Sequence, residues 1–175
     1  DIRKFHFRDP SYARRKTGIS STSKIVTYSG SLSPDRGIYY LINAAKNLKD
    51  IQFLFIGGNG NQIKFWEKRC AENKISNVLF MGYVEHYRVP LLLAASDILI
   101  LPYTSDLATY QWMSPIKLFE YIATGKPIIA SDLSSLTKLL HNNINSLVIP
   151  EKNSRAIEDA IFLLLSNPLL AARIS

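Results

Sequence analysis

Six short apolar runs recur along the chain, each parted from the next by a loop and a stretch of helical periodicity. They are Ile25-Val26-Thr27-Tyr28, Phe53-Leu54-Phe55-Ile56, Val78-Leu79-Phe80-Met81, Ile98-Leu99-Ile100-Leu101, Pro127-Ile128-Ile129-Ala130 and Ser146-Leu147-Val148-Ile149. Between the first two, Ile38, Leu41, Ile42, Ala45 and Leu48 fall on one helical face. Further helices are predicted around Ile63 to Asn73, from Leu91 to Ala95, from Pro115 to Thr124, and where Ile157, Ala160, Ile161 and Leu164 align. Strands this uniformly apolar need cover on both faces, which the intervening helices supply. The pattern predicts an α/β, doubly wound, Rossmann-like parallel sheet of about six strands. Ligands of such sheets sit outside the carboxyl ends of the strands. The loops that matter are then 30–37, 57–60, 82–87, 102–114 and 131–134.

A chain of 175 residues suffices for one domain with a single core, and 47% hydrophobic with 20% charged residues suits a globular protein. One cysteine, Cys70, rules out an internal disulfide and a multi-cysteine metal site, and fits a cytoplasmic setting. His6, His86 and His141 have no metal-ligand spacing, and the apolar stretch Val89 to Leu101 is interrupted and too short to span a bilayer. The start at Asp1 without methionine reads as a piece of a longer protein. Of the net charge of +7, a large share lies in residues 1–16, where Arg3, Lys4, Arg8, Arg14, Arg15 and Lys16 face only Asp1 and Asp9. That end reads as a solvated linker, or alternatively as a peripheral contact with an anionic membrane at its inner face. The body lacks the basic stripe with aromatic partners that nucleic-acid binding needs.

The most informative segment is Met113 to Tyr121. Ser114 suits an N-cap and Pro115 the first helical position, leaving the N–H groups of Ile116, Lys117 and Leu118 without intrahelical partners. Lys117 lies where the helix dipole is already positive, a placement an anion would offset. Two readings stand: a phosphate site, or an i,i+3 surface pair with Glu120. On the first, Lys117→Ala leaves the empty fold as stable or slightly more so; on the second, it melts early. Glu120 is the only acid between Asp106 and Asp132 and can accept both hydroxyls of a ribose, unless it serves that pair. Arg36 follows the first strand and can clamp a phosphate, or stand exposed. Gly57-Gly58-Asn59-Gly60 permits close backbone approach. There is no Gly-x-Gly-x-x-Gly after a strand, no P-loop, and no Asp-x-Asp pair for a divalent metal. No cofactor is expected, and neutralising a diphosphate would fall to side-chain cations and helix dipoles.

The run Ser114-Pro115-Ile116-Lys117-Leu118-Phe119-Glu120-Tyr121 through Gly125-Lys126-Pro127 to Ser131-Asp132 resembles the signature of group 1 (family 4) glycosyltransferases. Tyr28 to Leu32 with Arg36-Gly37, Phe55 to Gly60, Val78 to Val84 and Asn145 to Pro150 fit the same family in order, and Asp1 to Phe5 resembles its inter-domain linker. The resemblance implies the C-terminal half of a two-domain GT-B fold, with residues 1–16 leading from a missing N-terminal acceptor domain and residues 17–175 binding donor. It implies retaining, metal-independent hexosyl transfer from a nucleotide-diphosphate sugar, in cell-surface polysaccharide or glycolipid synthesis. Arg36 and Lys117 would be the catalytic cations. Gly30, Ser31, Gly58 and Asn59 would join them at the donor, with Ser114, Pro115, Ile116 and Leu118 cradling diphosphate and sugar. Glu120 would hold the ribose, and Tyr83 and Val84 would lie beside the base. Ser31 stands where many members carry arginine, and Trp112 where many carry glutamate; a Ser-Pro-x-Lys subgroup also lacks that acid, so the change reads as variation. A sugar-nucleotide 2-epimerase, or a non-catalytic nucleotide-binding module, is the alternative.

Overall fold

The computed structural model describes residues 9–20, 22–106 and 116–175. The six predicted strands form one sheet: β1 (Lys24–Ser29), β2 (Ile51–Ile56), β3 (Val78–Phe80), β4 (Ile98–Leu101), β5 (Ile128–Ser131) and β6 (Leu147–Ile149). Every pairing is parallel, in the order β3-β2-β1-β4-β5-β6. The chain therefore winds outward one way through β3, then returns to lay β4 beside β1 and winds the other way. The switch point lies between β1 and β4.

The connecting helices are α1 (Pro10–Thr17), α2 (Ile38–Asn47), α3 (Gly60–Glu72), α4 (Val89–Ala95), α5 (Ile116–Ile122), α6 (Ser134–Thr137), α7 (Ser154–Ser166) and α8 (Pro168–Arg173). Right-handed crossovers put α2 and α3 on one face and α4 and α5 on the other. Then α7 packs beside α2, and α1 beside α4. The central strands β1, β4 and β5 are buried almost end to end, and their Ile25, Leu99, Ile100 and Ile129 form the middle of the core. By contrast β3 is an edge strand, and its Leu79 is exposed.

Two local results differ from the sequence expectation. Helix α3 starts at Gly60, three residues early, because Asn59 and Gln62 form a reciprocal capping box: each side chain accepts from the other's backbone N–H at 3.0 Å. The basic segment expected to be a solvated linker is helical from Pro10, with Ala13 fully buried and Arg14 nearly so. Arg14 donates to the carbonyls of Ala95 (3.0 Å), Ser20 (3.0 Å) and Ser23 (2.9 Å) and pairs with Asp97 at 2.8 Å. A guanidinium with this many partners ties α1 to the body, so residues 9–17 pack as part of the domain. Among the described residues, no helix is long and apolar enough to cross a membrane.

Candidate functional site

At the carboxyl end of the sheet, where β1 and β2 stop, a cavity of about 230 Å³ is lined by Ser29, Gly30, Ile56, Gly57, Tyr83, Val84, His86, Val89 and Lys117. Its floor is fixed by α5: the Tyr121 hydroxyl accepts from the Ser29 N–H at 2.8 Å. Complete burial holds the Tyr121 phenol well above its ordinary pKa, so it stays neutral. On the first loop, Trp66 of α3 donates to the Leu32 carbonyl at 2.8 Å, and the Tyr28 hydroxyl to that of Ser31 at 2.7 Å.

Glu120 is 5% exposed and stands behind the cavity wall. Its Oε2 accepts from Lys117 Nζ at 2.8 Å and its Oε1 lies 3.3 Å from His86 Nε2. The i,i+3 pair is thus formed, but it is not the surface pair expected: its carboxylate is almost entirely out of water. Each carboxylate oxygen retains capacity for a second hydrogen bond. Sequence reading missed His86, because nothing in its loop foretells contact with a helix residue 34 positions on.

Arg36 ends a 3₁₀ turn over Pro34–Arg36 and lies over the Tyr103 ring, 5.2 Å from guanidinium carbon to centroid. Burial pushes the Tyr103 hydroxyl above its usual pKa, and Arg36 opposes that shift. The neighbouring Thr104 donates to the Asp35 carbonyl at 2.9 Å. Gly37 makes this docking feasible: it has φ of +74°, and a Cβ there would collide with the Pro102 carbonyl oxygen. The exposed arginine of the alternative reading is therefore not what folds. Arg36 is half-buried against the segment after β4, outside the lining of the 230 Å³ cavity.

Of the other expected site residues, Gly30, Tyr83 and Val84 line the cavity with Lys117. Ser31 is exposed beside it and accepts from Gln62 Nε2 at 3.2 Å. Asn59 is exposed, and its Oδ1 serves as the α3 cap, which leaves its amide N–H groups for the expected role. Gly58 is required by packing: an added Cβ would sit 2.6 Å from Leu32 Cδ1. Ile116 is exposed and Leu118 fully buried, which leaves Leu118 only its backbone N–H for the expected role. Ser114, Pro115 and Trp112 lie outside the described residues.

The family model described as glycosyl transferases group 1 matches residues 11–175. Alpha-D-kanosaminyltransferase of Streptomyces kanamyceticus is 26% identical over 86% of this chain, which corresponds to 39% of that protein. The chain thus spans about two fifths of the length of such curated relatives. The Anabaena protein HepE, solved in complex with UDP-glucose, superposes over 99% of this chain and 48% of its own with a TM-score of 0.84 at 20% identity. The C-terminal domain of a group 1 glycosyltransferase from Francisella tularensis superposes over 99% of this chain and 91% of its own, with a TM-score of 0.82 at 18% identity. The chain belongs to the group 1 glycosyltransferases, and its fold is the Rossmann-like C-terminal half of their GT-B architecture.

Proposed function

We propose that this chain is the donor-binding half of a retaining, metal-independent glycosyltransferase that takes its sugar from a nucleotide-diphosphate sugar. The observation that carries the reading is the gathering of Lys117, Glu120, Gly30, Tyr83 and Val84 at the carboxyl ends of β1 and β2, beside the switch point. Glu120 accepts the ribose hydroxyls on its remaining lone pairs. Tyr83, 84% exposed at the cavity rim, offers an aromatic face to the base. Lys117 and Arg36 supply positive charge for the diphosphate. As the anomeric C–O bond to the diphosphate breaks and the acceptor hydroxyl oxygen takes its place, giving its proton to the departing diphosphate, negative charge grows on the leaving group. Fixed cations at that point favour the transition state over the ground state. The acceptor and the groups on the far side of the reacting carbon belong to a preceding domain, and the product is a cell-surface polysaccharide or glycolipid. The UDP-glucose in HepE, a protein of the same fold, supports a nucleotide sugar as the ligand.

The test is calorimetry with a panel of UDP, GDP and ADP and their monophosphates. Charge-assisted contacts to a second phosphate contribute about 1.5–3 kcal/mol each. The preferred diphosphate should therefore bind more than tenfold tighter than its monophosphate, and Arg36→Ala should remove most of the difference. Equal affinities for the two would overturn the phosphate assignment.

A further inference from the structure

A cavity of about 770 Å³ opens at the other end of the sheet. Its walls come from the starts of three strands and from two helices that the donor site does not use. Lys24 begins β1, Asp97 precedes β4, and Lys126 precedes Pro127 and β5; α1 contributes Arg14 and Arg15, and α8 contributes Ala171 and Ala172. Such a volume admits a small organic ligand.

The charge in this cavity does not balance. Arg14 and Asp97 neutralise each other at 2.8 Å, and Asp97 Oδ2 also takes the Ile25 N–H at 2.8 Å. Lys24 reaches the other oxygen only at 3.9 Å, with its side chain 57% exposed. Arg15 is exposed. The decisive group is Lys126, which is 8% exposed and makes no hydrogen bond or ion pair among the described residues. Burial pushes its ammonium below the ordinary value; Asp97 pulls the other way, Arg14 adds to the depression, and Asp9 opposes it more weakly. Helix carbonyls explain Arg14, which donates to Ala95 at the end of α4, but they offer Lys126 no such bond. The ammonium of a lysine so largely desolvated, lining a roomy cavity with no acid among the described residues in contact, gains from an anion placed there.

We propose that this cavity is a second anion site, taking a phosphate group on Lys126 with Lys24 and Arg15 at its rim. The ligand is inorganic phosphate or pyrophosphate, or the same group carried on a lipid head. The site is separate from the donor cavity and works at the opposite end of the sheet.

Pyrophosphate titrated calorimetrically into the whole chain, with UDP present to occupy the donor cavity, provides the test. The wild type should bind it, and Lys126→Met should bind at least tenfold more weakly. Without ligand, Lys126→Met should melt at the same temperature or higher, because it removes a buried charge; a merely structural lysine would melt lower. The exposed pair Lys24→Ala/Arg15→Ala repeats the test without touching the interior and should weaken binding at least threefold. Sedimentation with phosphatidylglycerol vesicles, compared with phosphatidylcholine, separates the sources. Lys126-dependent pelleting assigns a lipid head, and pyrophosphate binding without pelleting assigns a soluble phosphate. Failure of the wild type to bind either probe, or unchanged binding by Lys126→Met and by the double variant, overturns the site.

Discussion

Glu120 directs one carboxylate oxygen to Lys117 and the other towards His86, with only 5% of the residue exposed. Removing the lysine leaves a nearly buried carboxylate with one weaker neighbour. The helix-dipole expectation that Lys117→Ala leaves the empty fold unharmed is therefore replaced. That variant should lose about 1–3 kcal/mol, towards the low end because Lys117 is partly solvated, which is a few degrees of melting temperature for a domain of this size. Thermal melts of the unliganded variant check this. Glu120→Gln should weaken a ribonucleotide more than its 2′-deoxy counterpart, measured by calorimetry; equal losses would sink the ribose role. Cys70 gives a third residue-scale expectation. Burial, with the Glu67 carboxylate adding to it, pushes the thiol up to about 11. Native protein at pH 8 should then react with iodoacetamide far more slowly than urea-unfolded chain. Because the folded value is the raised one, the thiol's contribution to stability is complete below about pH 9 and is lost as the pH rises towards 11. Cys70→Ala should flatten that part of the stability profile relative to wild type.

Among the elements, two helices decide more than their length suggests. Helix α1 is polar and short, yet Arg14 fixes it by three carbonyl contacts and an ion pair with Asp97. Arg14→Ala would strip all four and leave Asp97 only the exposed Lys24, at 3.9 Å. About 3 kcal/mol should be lost in urea unfolding, the low end for a broken buried pair because Asp97 is partly solvated. A loss below 0.5 kcal/mol would mean that α1 is not anchored this way. Helix α3 holds the first loop through Trp66 and Leu32. Trp66→Phe keeps the apolar bulk and removes one hydrogen bond, so stability should fall by about 1 kcal/mol. Binding of the nucleoside diphosphate should weaken with it, because the loop that carries Ser31 and Arg36 loosens.

On the scale of the whole molecule, the cavity proposed to hold donor lies at the carboxyl end of a single sheet. The proposal of a preceding acceptor domain then carries its own expectation. This chain alone should bind a sugar nucleotide yet release no free nucleotide above the uncatalysed rate, while the longer enzyme does so with acceptor present. Without a closed cleft, water also weakens every electrostatic contribution to the transition state. Nucleotide release by this chain at a rate near that of the longer enzyme would refute the division of labour. A second expectation concerns metal: transfer by the longer enzyme should survive chelation by EDTA if side-chain cations alone meet the diphosphate.

The periodicity of apolar residues determined the class of fold. All six predicted strands are present within about two residues of their expected bounds, and the central ones, buried on both faces, cannot hide their composition. The Ser114 to Asp132 signature likewise placed the family correctly from local residue types alone. The sequence could not determine which side chains meet across distant elements. His86 approaches Glu120, Arg36 settles on Tyr103, and Asn59 turns to its own helix as a cap. Polar α1 looked like a linker because its burial rests on one guanidinium and not on an apolar face. Periodicity reports what each element hides from water, whereas charge pairing over long sequence separations is decided only once the sheet order brings the partners together.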